Sequence, residues 1–135
     1  MLTSKKYAIN YNIYNLTPND IDNIKIIKFE GLRDMGFAYN AAKGKYTYIK
    51  TFLSDKDDNV MKDSLLIEIT EEDNKINYYA TCCSGICEYV FYSFLNPIEI
   101  DNESELSIQK TLLCVMNKLI KEGFTDYTQE RKSNE

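Results

Sequence analysis

The stretch SLLIEITEEDNKINYYATCC, residues 64–83, alternates apolar and polar side chains on both sides of a short acidic segment. A period of two is typical of half-buried β-strands, and the four residues 71–74 between the two runs suit a hairpin loop. Pairing counted outward from this loop places Ile69 opposite Ile76, Ile67 opposite Tyr78, and Leu65 opposite Ala80. Because a slip of one residue would scatter these side chains over both faces, the sequence predicts an antiparallel hairpin in this register.

Further strand-like runs extend this hairpin into a meander. The same period of two continues in residues 45–53 and 86–94, and it is clear in KKYAINYNIYN near the N-terminus, where residues 7–13 alternate. The acidic run at residues 55–63 is predicted to be a polar connection. One face of the predicted sheet is almost wholly apolar across three strands and therefore needs a cover.

Two helices are predicted, and the C-terminal one is expected to supply that cover. Thr17 has the signature of an N-cap, with a proline at the first helical position and Asp20 three residues after the cap. This first helix is expected to end between residues 31 and 43. A second helix runs from a cap at Asn102 to a stop at Gly123, and its apolar stripe is wide enough to lie across a sheet.

The fold class is therefore α+β: an antiparallel sheet of four to five strands, connected as a meander, with the C-terminal helix packed on one face and the N-terminal helix beside it or on the other face. A chain of 135 residues can bury a sizeable core, so residues 1–125 are predicted to form a single domain and residues 126–135 a frayed tail. No secretion signal is recognisable, and no apolar run approaches the roughly 20 residues that span a membrane, so a cytoplasmic location is expected.

Composition narrows the chemistry. The chain has no histidine, which removes the general base of most serine and cysteine hydrolases and the commonest metal ligand. The four cysteines are Cys82, Cys83, Cys87 and Cys114. If residues 84–85 form a hairpin loop, Cys82 and Cys87 face the core while Cys83 points the other way, so the four thiols do not converge on a zinc ion. A disulfide between Cys82 and Cys87 fits this register, but a reducing compartment disfavours it. We therefore expect the cysteines to be reduced thiols that pack against other side chains, and we expect the protein to bind no metal and no cofactor.

Charge is unevenly distributed along the chain. Residues 55–105 carry a net charge of −10, against +4 in residues 1–54 and +1 in residues 106–135, for a total of −5. Such an acidic field repels nucleic acids and anionic membranes and steers association with a basic protein. Tyrosines among the acids on the second face of the sheet favour a protein interface. The candidate partner-binding residues are Asp55, Asp57, Asp58, Glu68, Glu71, Glu72, Asp73, Tyr79, Glu88 and Tyr92. A surface that only keeps the protein soluble explains the same charges.

These observations lead us to expect a small, acidic, non-catalytic binding protein that neutralises a basic protein partner, such as a toxin or a nuclease. Bacterial immunity proteins and small nuclease inhibitors act in this way, but the comparison is one of size and acidity alone, since no family motif carries it. One alternative is a small acidic secretion or assembly chaperone, which would dimerise. The other is an enzyme or ligand-binding domain that uses carboxylates or a thiol, with Cys83 or Cys114 as nucleophile, and it predicts a concave pocket.

Overall fold

The structure, a computed structural model, describes residues 12–56, 59–82, 85–86 and 103–127. Within these ranges the elements are α1 (Pro18–Asn23), a 3-10 helix (Arg33–Met35), β1 (Ala38–Asn40), β2 (Lys45–Lys56), β3 (Asn59–Thr70), β4 (Ile76–Cys82), β5 (Gly85–Ile86) and α2 (Glu103–Lys121). The strands form one antiparallel sheet in the order β1-β2-β3-β4-β5. The predicted α+β meander is confirmed.

The central hairpin has the predicted register. Ile69 pairs with Ile76, Ile67 with Tyr78, and Leu65 with Ala80. The side chains of Leu65, Ile67 and Ile69 are completely buried, whereas Leu66, which lies between two of them, is only half-buried. The alternation in the sequence therefore separates a core face from an outer face of the sheet.

Both helices pack on the core face. The buried side chains of the strands and helices form one cluster, which includes Ile21, Ile24, Leu65, Ile67, Ile69, Ile76, Ala80, Ile108, Leu112, Leu113, Met116 and Leu119. α1 lies against β4, where burial, together with the carboxylate of Asp22, raises the pKa of Tyr78 to about 12. The N-terminal helix thus lies on the same side of the sheet as the C-terminal helix, and not on the other face.

The end of α2 is set by Gly123, as the sequence predicts. Gly123 has a φ of 81°, a conformation that costs glycine little. Its N–H donates to the carbonyl of Ile120 (3.2 Å), and the N–H of Phe124 donates to the carbonyl of Leu119 (3.0 Å). This pair of bonds is a Schellman motif, and the side chains of Leu119 and Phe124 are both buried beside it.

After this stop the chain is held against the segment that follows α1. The N–H of Ile27 donates to the carbonyl of Phe124 (2.8 Å), and the N–H of Asp126 donates to the carbonyl of Lys25 (3.0 Å). The side chain of Tyr127 is buried in the core cluster. Packed structure therefore extends two residues beyond the predicted domain end at residue 125.

The first helix is shorter than predicted. Thr17 and Asp20 form the expected capping box, with bonds of 3.1 Å and 2.8 Å between each side chain and the other's N–H. The helix nevertheless ends after six residues, because Ile24 and Ile26 are buried while Ile27 is exposed, a strand-like alternation. These β-branched residues adopt extended backbone and isolated bridges instead. The 3-10 helix and β1 lie in the later part of the region predicted as helix.

Two connections also differ from the prediction. Residues 55–63, predicted as a polar connection, belong mostly to β2 and β3, which remain paired as far as Lys56 and Asn59. Pairing along this long hairpin outweighs the low strand propensity of aspartate. Cys82 pairs with Gly85 rather than with Cys87, so the register predicted for the second hairpin, from which the suggested disulfide was inferred, is wrong. A shift of two residues keeps every side chain on its face, so alternation could not detect this error.

The prediction of an N-terminal strand is wrong for residues 12–15, the part of that run that the structure describes. Ile13 lies in a turn, which Asn12 stabilises by accepting a hydrogen bond from the N–H of Leu16 at 2.8 Å. Three other predicted features lie outside the described residues. They are the part of this strand before residue 12, residues 87–94 of the last predicted strand, and the cap at Asn102.

Because the core lies on one face of the sheet, two substitutions at neighbouring residues should lower the free energy of unfolding by different amounts. Ile67→Ala should lower the free energy of unfolding by about 2–5 kcal/mol, because it leaves a cavity among fully buried side chains. Leu66→Ala, on the outer face of the same strand, should cost about 1 kcal/mol or less. Urea unfolding of both variants measures the difference, and equal losses would contradict the assignment of the two faces.

Candidate functional site

The outer side of the sheet, here called the open face, carries neither α1 nor α2. Alternation along β2, β3 and β4 determines which described side chains lie there. They are Lys45, Thr47, Ile49, Thr51 and Leu53 on β2, Lys62, Ser64, Leu66, Glu68 and Thr70 on β3, and Asn77, Tyr79 and Thr81 on β4. The open face is thus a continuous surface of three strands.

An apolar patch lies at the centre of the open face. Ile49 pairs with Leu66, and Leu66 pairs with Tyr79, so three large side chains are neighbours across three strands. Ile49 is 59% exposed, and Leu53, further along β2, is 70% exposed. We call Ile49, Leu53, Leu66 and Tyr79 the apolar patch. Ile49, Leu66 and Tyr79 adjoin one another across the strands, and adjoining apolar side chains at a surface are a common mark of a protein interface.

Glu68 borders the apolar patch and has a cationic neighbour. Its Oε2 lies 3.2 Å from Nζ of Lys45, and both side chains are partly exposed. A pair in this setting contributes less than about 1 kcal/mol to stability. Glu68 was predicted to attract a basic partner, and Lys45 offsets its charge in the unbound protein.

The hairpin between β3 and β4 carries three acids, Glu71, Glu72 and Asp73, which we call the acidic tip. All three side chains are exposed. Oδ1 of Asp73 accepts a hydrogen bond from the N–H of Lys75 (3.1 Å), and Asn74 has a φ of 60°, a left-handed conformation that asparagine tolerates. The tip is therefore a defined turn that presents carboxylates at one end of the sheet.

Contacts from neighbouring segments fix the acidic tip further. The N–H of Glu71 donates to the carbonyl of Gly44 (3.0 Å), and the N–H of Ile26 donates to the carbonyl of Asn74 (2.9 Å). The Tyr39 hydroxyl donates to Oε1 of Glu71 at 2.5 Å. This hydrogen bond to a carboxylate favours the protonated phenol and so raises the pKa of Tyr39. The carboxylate of Glu71 is consequently held in one direction.

An aromatic cluster supports Tyr39. Its ring lies 4.6 Å from that of Tyr46, which in turn stacks on Phe29 at 5.8 Å. The guanidinium of Arg33 lies over the Tyr39 ring at 5.6 Å. This cluster was not predicted from the sequence, because the first helix was expected to extend to an end between residues 31 and 43 and no strand was predicted at β1. The signal was present, since Asn40 and Gly44 bracket a short turn between β1 and β2, and Asn40 accepts hydrogen bonds from its own loop.

The predicted site residues divide into two groups. Glu68, Glu71, Glu72, Asp73 and Tyr79 are described, and all five lie on the open face or at the acidic tip. The side chain of Asp55, like Asp57, Asp58, Glu88 and Tyr92, lies outside the described residues. The acids and tyrosine that can be placed are therefore at one end and on one face of the same sheet.

Among the described residues, the side chain of one cysteine, Cys114, can be placed. Cys114 is a free thiol on the exposed side of α2, on the helical side of the sheet. Cys82 is in β4, and Cys83 and Cys87 lie outside the described residues. Across the described ranges, no three cysteine, aspartate or glutamate residues are grouped so that they could hold a metal ion.

Comparisons with known proteins add no assignment: no family model, curated protein or solved structure matches this chain. Of the helices in the part of the chain that the structure describes, none has the length and apolar character needed to cross a membrane.

The contact between Tyr39 and Glu71 predicts a specific shift in titration. Glu71→Ala should lower the pKa of Tyr39 towards its ordinary value, because the carboxylate that favours the protonated phenol is gone. The pKa is measured from the ring resonances of labelled tyrosine, with Tyr39→Phe identifying the signal. Glu72→Ala, one residue further along the tip, is the matched control and should leave the Tyr39 titration unchanged. Identical midpoints in the two alanine variants would contradict the contact.

Proposed function

We propose that this chain is a non-catalytic binding protein whose open face docks onto a basic protein and thereby blocks that protein's activity. The observation that carries the proposal is the apolar patch, where Ile49 and Leu53 are mostly exposed beside the half-buried Leu66 and Tyr79. Exposing such side chains costs solubility, and docking a partner recovers the burial of their apolar surface.

The identity of the partner is inferred from charge. The acidic tip adjoins the open face at the end of β3, and the whole chain carries a net charge of −5. A basic partner would be drawn to the tip by long-range attraction, while the apolar patch supplies the contact that keeps it bound. The fixed conformation of the tip favours this division, because ordered carboxylates lose little entropy on binding.

Two pairs of variants test the proposal against a partner isolated from the source cells. Ile49→Thr with Leu53→Thr should weaken the complex by about tenfold or more, mainly through faster dissociation, because both changes remove exposed apolar side chains from the open face. Ile27→Thr is the matched control, since Ile27 is 64% exposed but lies outside the open face. It should leave the dissociation constant within about twofold.

Charge reversal tests the steering role of the tip. Glu72→Lys should slow association by about fivefold at low salt and by much less at high salt. Glu122→Lys makes the same change at an exposed glutamate after α2 and should have a far smaller effect. A single basic protein whose binding responds in this pattern, and whose activity falls when bound, would support the proposal. Failure to retain any stoichiometric partner at low salt, equal effects in test and control variants, or a homodimer formed through the open face would contradict it.

A further inference from the structure

A groove of about 480 Å³ lies on the helical side of the sheet, between α2 and β2. Its origin is geometric. In the described ranges β1 pairs only with the first three residues of β2, and the buried face of α2 packs over the middle of the sheet. Among the elements that the structure describes, none covers the later part of β2 beside α2, and the side chains of Tyr48, Lys50 and Phe52 line the space between this strand and the helix.

The charge of this groove is opposite to that of the chain as a whole. Lys50, Lys110 and Lys118 line it, and none of the described residues that line it carries a carboxylate. All three lysines are exposed at its rim. Lys110 and Lys118 lie one turn on either side of Cys114 on the same face of α2, so two ammonium groups flank one wall. In a protein of net charge −5, such a cluster is a local site of positive potential.

The floor of the groove is apolar and well supported. Met35, Tyr48, Phe52 and Val115 contribute to it and are all half-buried. Tyr48 is fixed by packing against Phe37, with 5.6 Å between ring centroids. Gly36 permits that packing, because a Cβ there would come within 3.3 Å of the Tyr48 ring. Small-molecule sites are commonly clefts of roughly 300–1,000 Å³ that combine an apolar lining with a few polar groups.

We propose that this groove binds a small organic anion, with an apolar body on the floor and a carboxylate or phosphate head at the rim between Lys110 and Lys118. Both head groups share the chemistry that an ammonium group recognises, and each leaves the apolar body free to contact the aromatic floor. The groove is separate from the open face, so this proposal does not depend on the proposed protein-binding function.

Calorimetry with three probes of equal chain length tests the site: decanoate, decyl phosphate and decyltrimethylammonium, each below its micelle-forming concentration. The two anions should bind with saturation and the cation should not. The tighter of the two anions identifies the preferred head group. Failure of both anions to bind, or equal binding of the cation, would overturn the proposal.

Matched lysine variants locate the binding. The double variant Lys110→Gln with Lys118→Gln should lower the affinity for the two anions by about tenfold or more. The double variant Lys62→Gln with Lys121→Gln removes the same charge outside the groove and should change this affinity by less than about twofold. Equal weakening by the two pairs would overturn the assignment to the groove.

The reactivity of the Cys114 thiol, measured in protein whose lysines are unchanged, gives a second test that does not depend on how the lysine variants fold. Bound decanoate should slow the modification of Cys114 by iodoacetamide, measured as the part of the reaction that Cys114→Ser abolishes. An unchanged rate at saturating decanoate would contradict binding in this groove.

Discussion

The whole structure depends on the burial of one face of the sheet. Leu65, Ile67 and Ile69 place branched apolar side chains on the same side of β3, and both helices cover that side. Burying each such side chain contributes about 1.5–3 kcal/mol, so a register that divided them between two faces would forfeit much of the core. The cost of this arrangement is that the described structure leaves the opposite face without a helix.

One consequence is a protein with two different surfaces. On the open face, the apolar patch includes Leu66 and Tyr79 of the two strands that the acidic tip joins, and hydrogen bonds hold the side chains of Glu71 and Asp73 at that tip. On the helical side, the groove between α2 and β2 has a cationic rim. The net charge of the chain does not show that the two surfaces differ in charge. Attraction of a basic protein and binding of a small anion are compatible, because the sheet separates the two sites.

The sequence was sufficient to predict the structure where a pattern of residues was compatible with a single arrangement. The register of the central hairpin followed from alternation, since a slip of one residue exposes Ile67, and the end of α2 followed from Gly123. It was insufficient where alternatives preserved the pattern. A shift of two residues at Cys82 leaves every face unchanged, and the isoleucines after α1 fit a weak helical period as well as a strand-like one.

The candidate site could be predicted only in part, for a related reason. Exposed acids and Tyr79 follow from local sequence, so their placement on one face or at one turn was accessible. The support of Glu71 by Tyr39 joins residues 32 positions apart, and the groove needs β2 and α2 to come together from distant parts of the chain. Such contacts depend on tertiary packing, which no local period records.

The most direct test of this account is the solvent exposure of methyl groups in the full-length protein, measured by NMR with a soluble gadolinium chelate. We expect strong paramagnetic broadening of the Ile49 and Leu53 methyl resonances and little broadening for Leu65 and Ile67 on the other face. Protection of Ile49 and Leu53 to the level of Ile67 would show that the face is covered, and would contradict the claim that it is open to a partner.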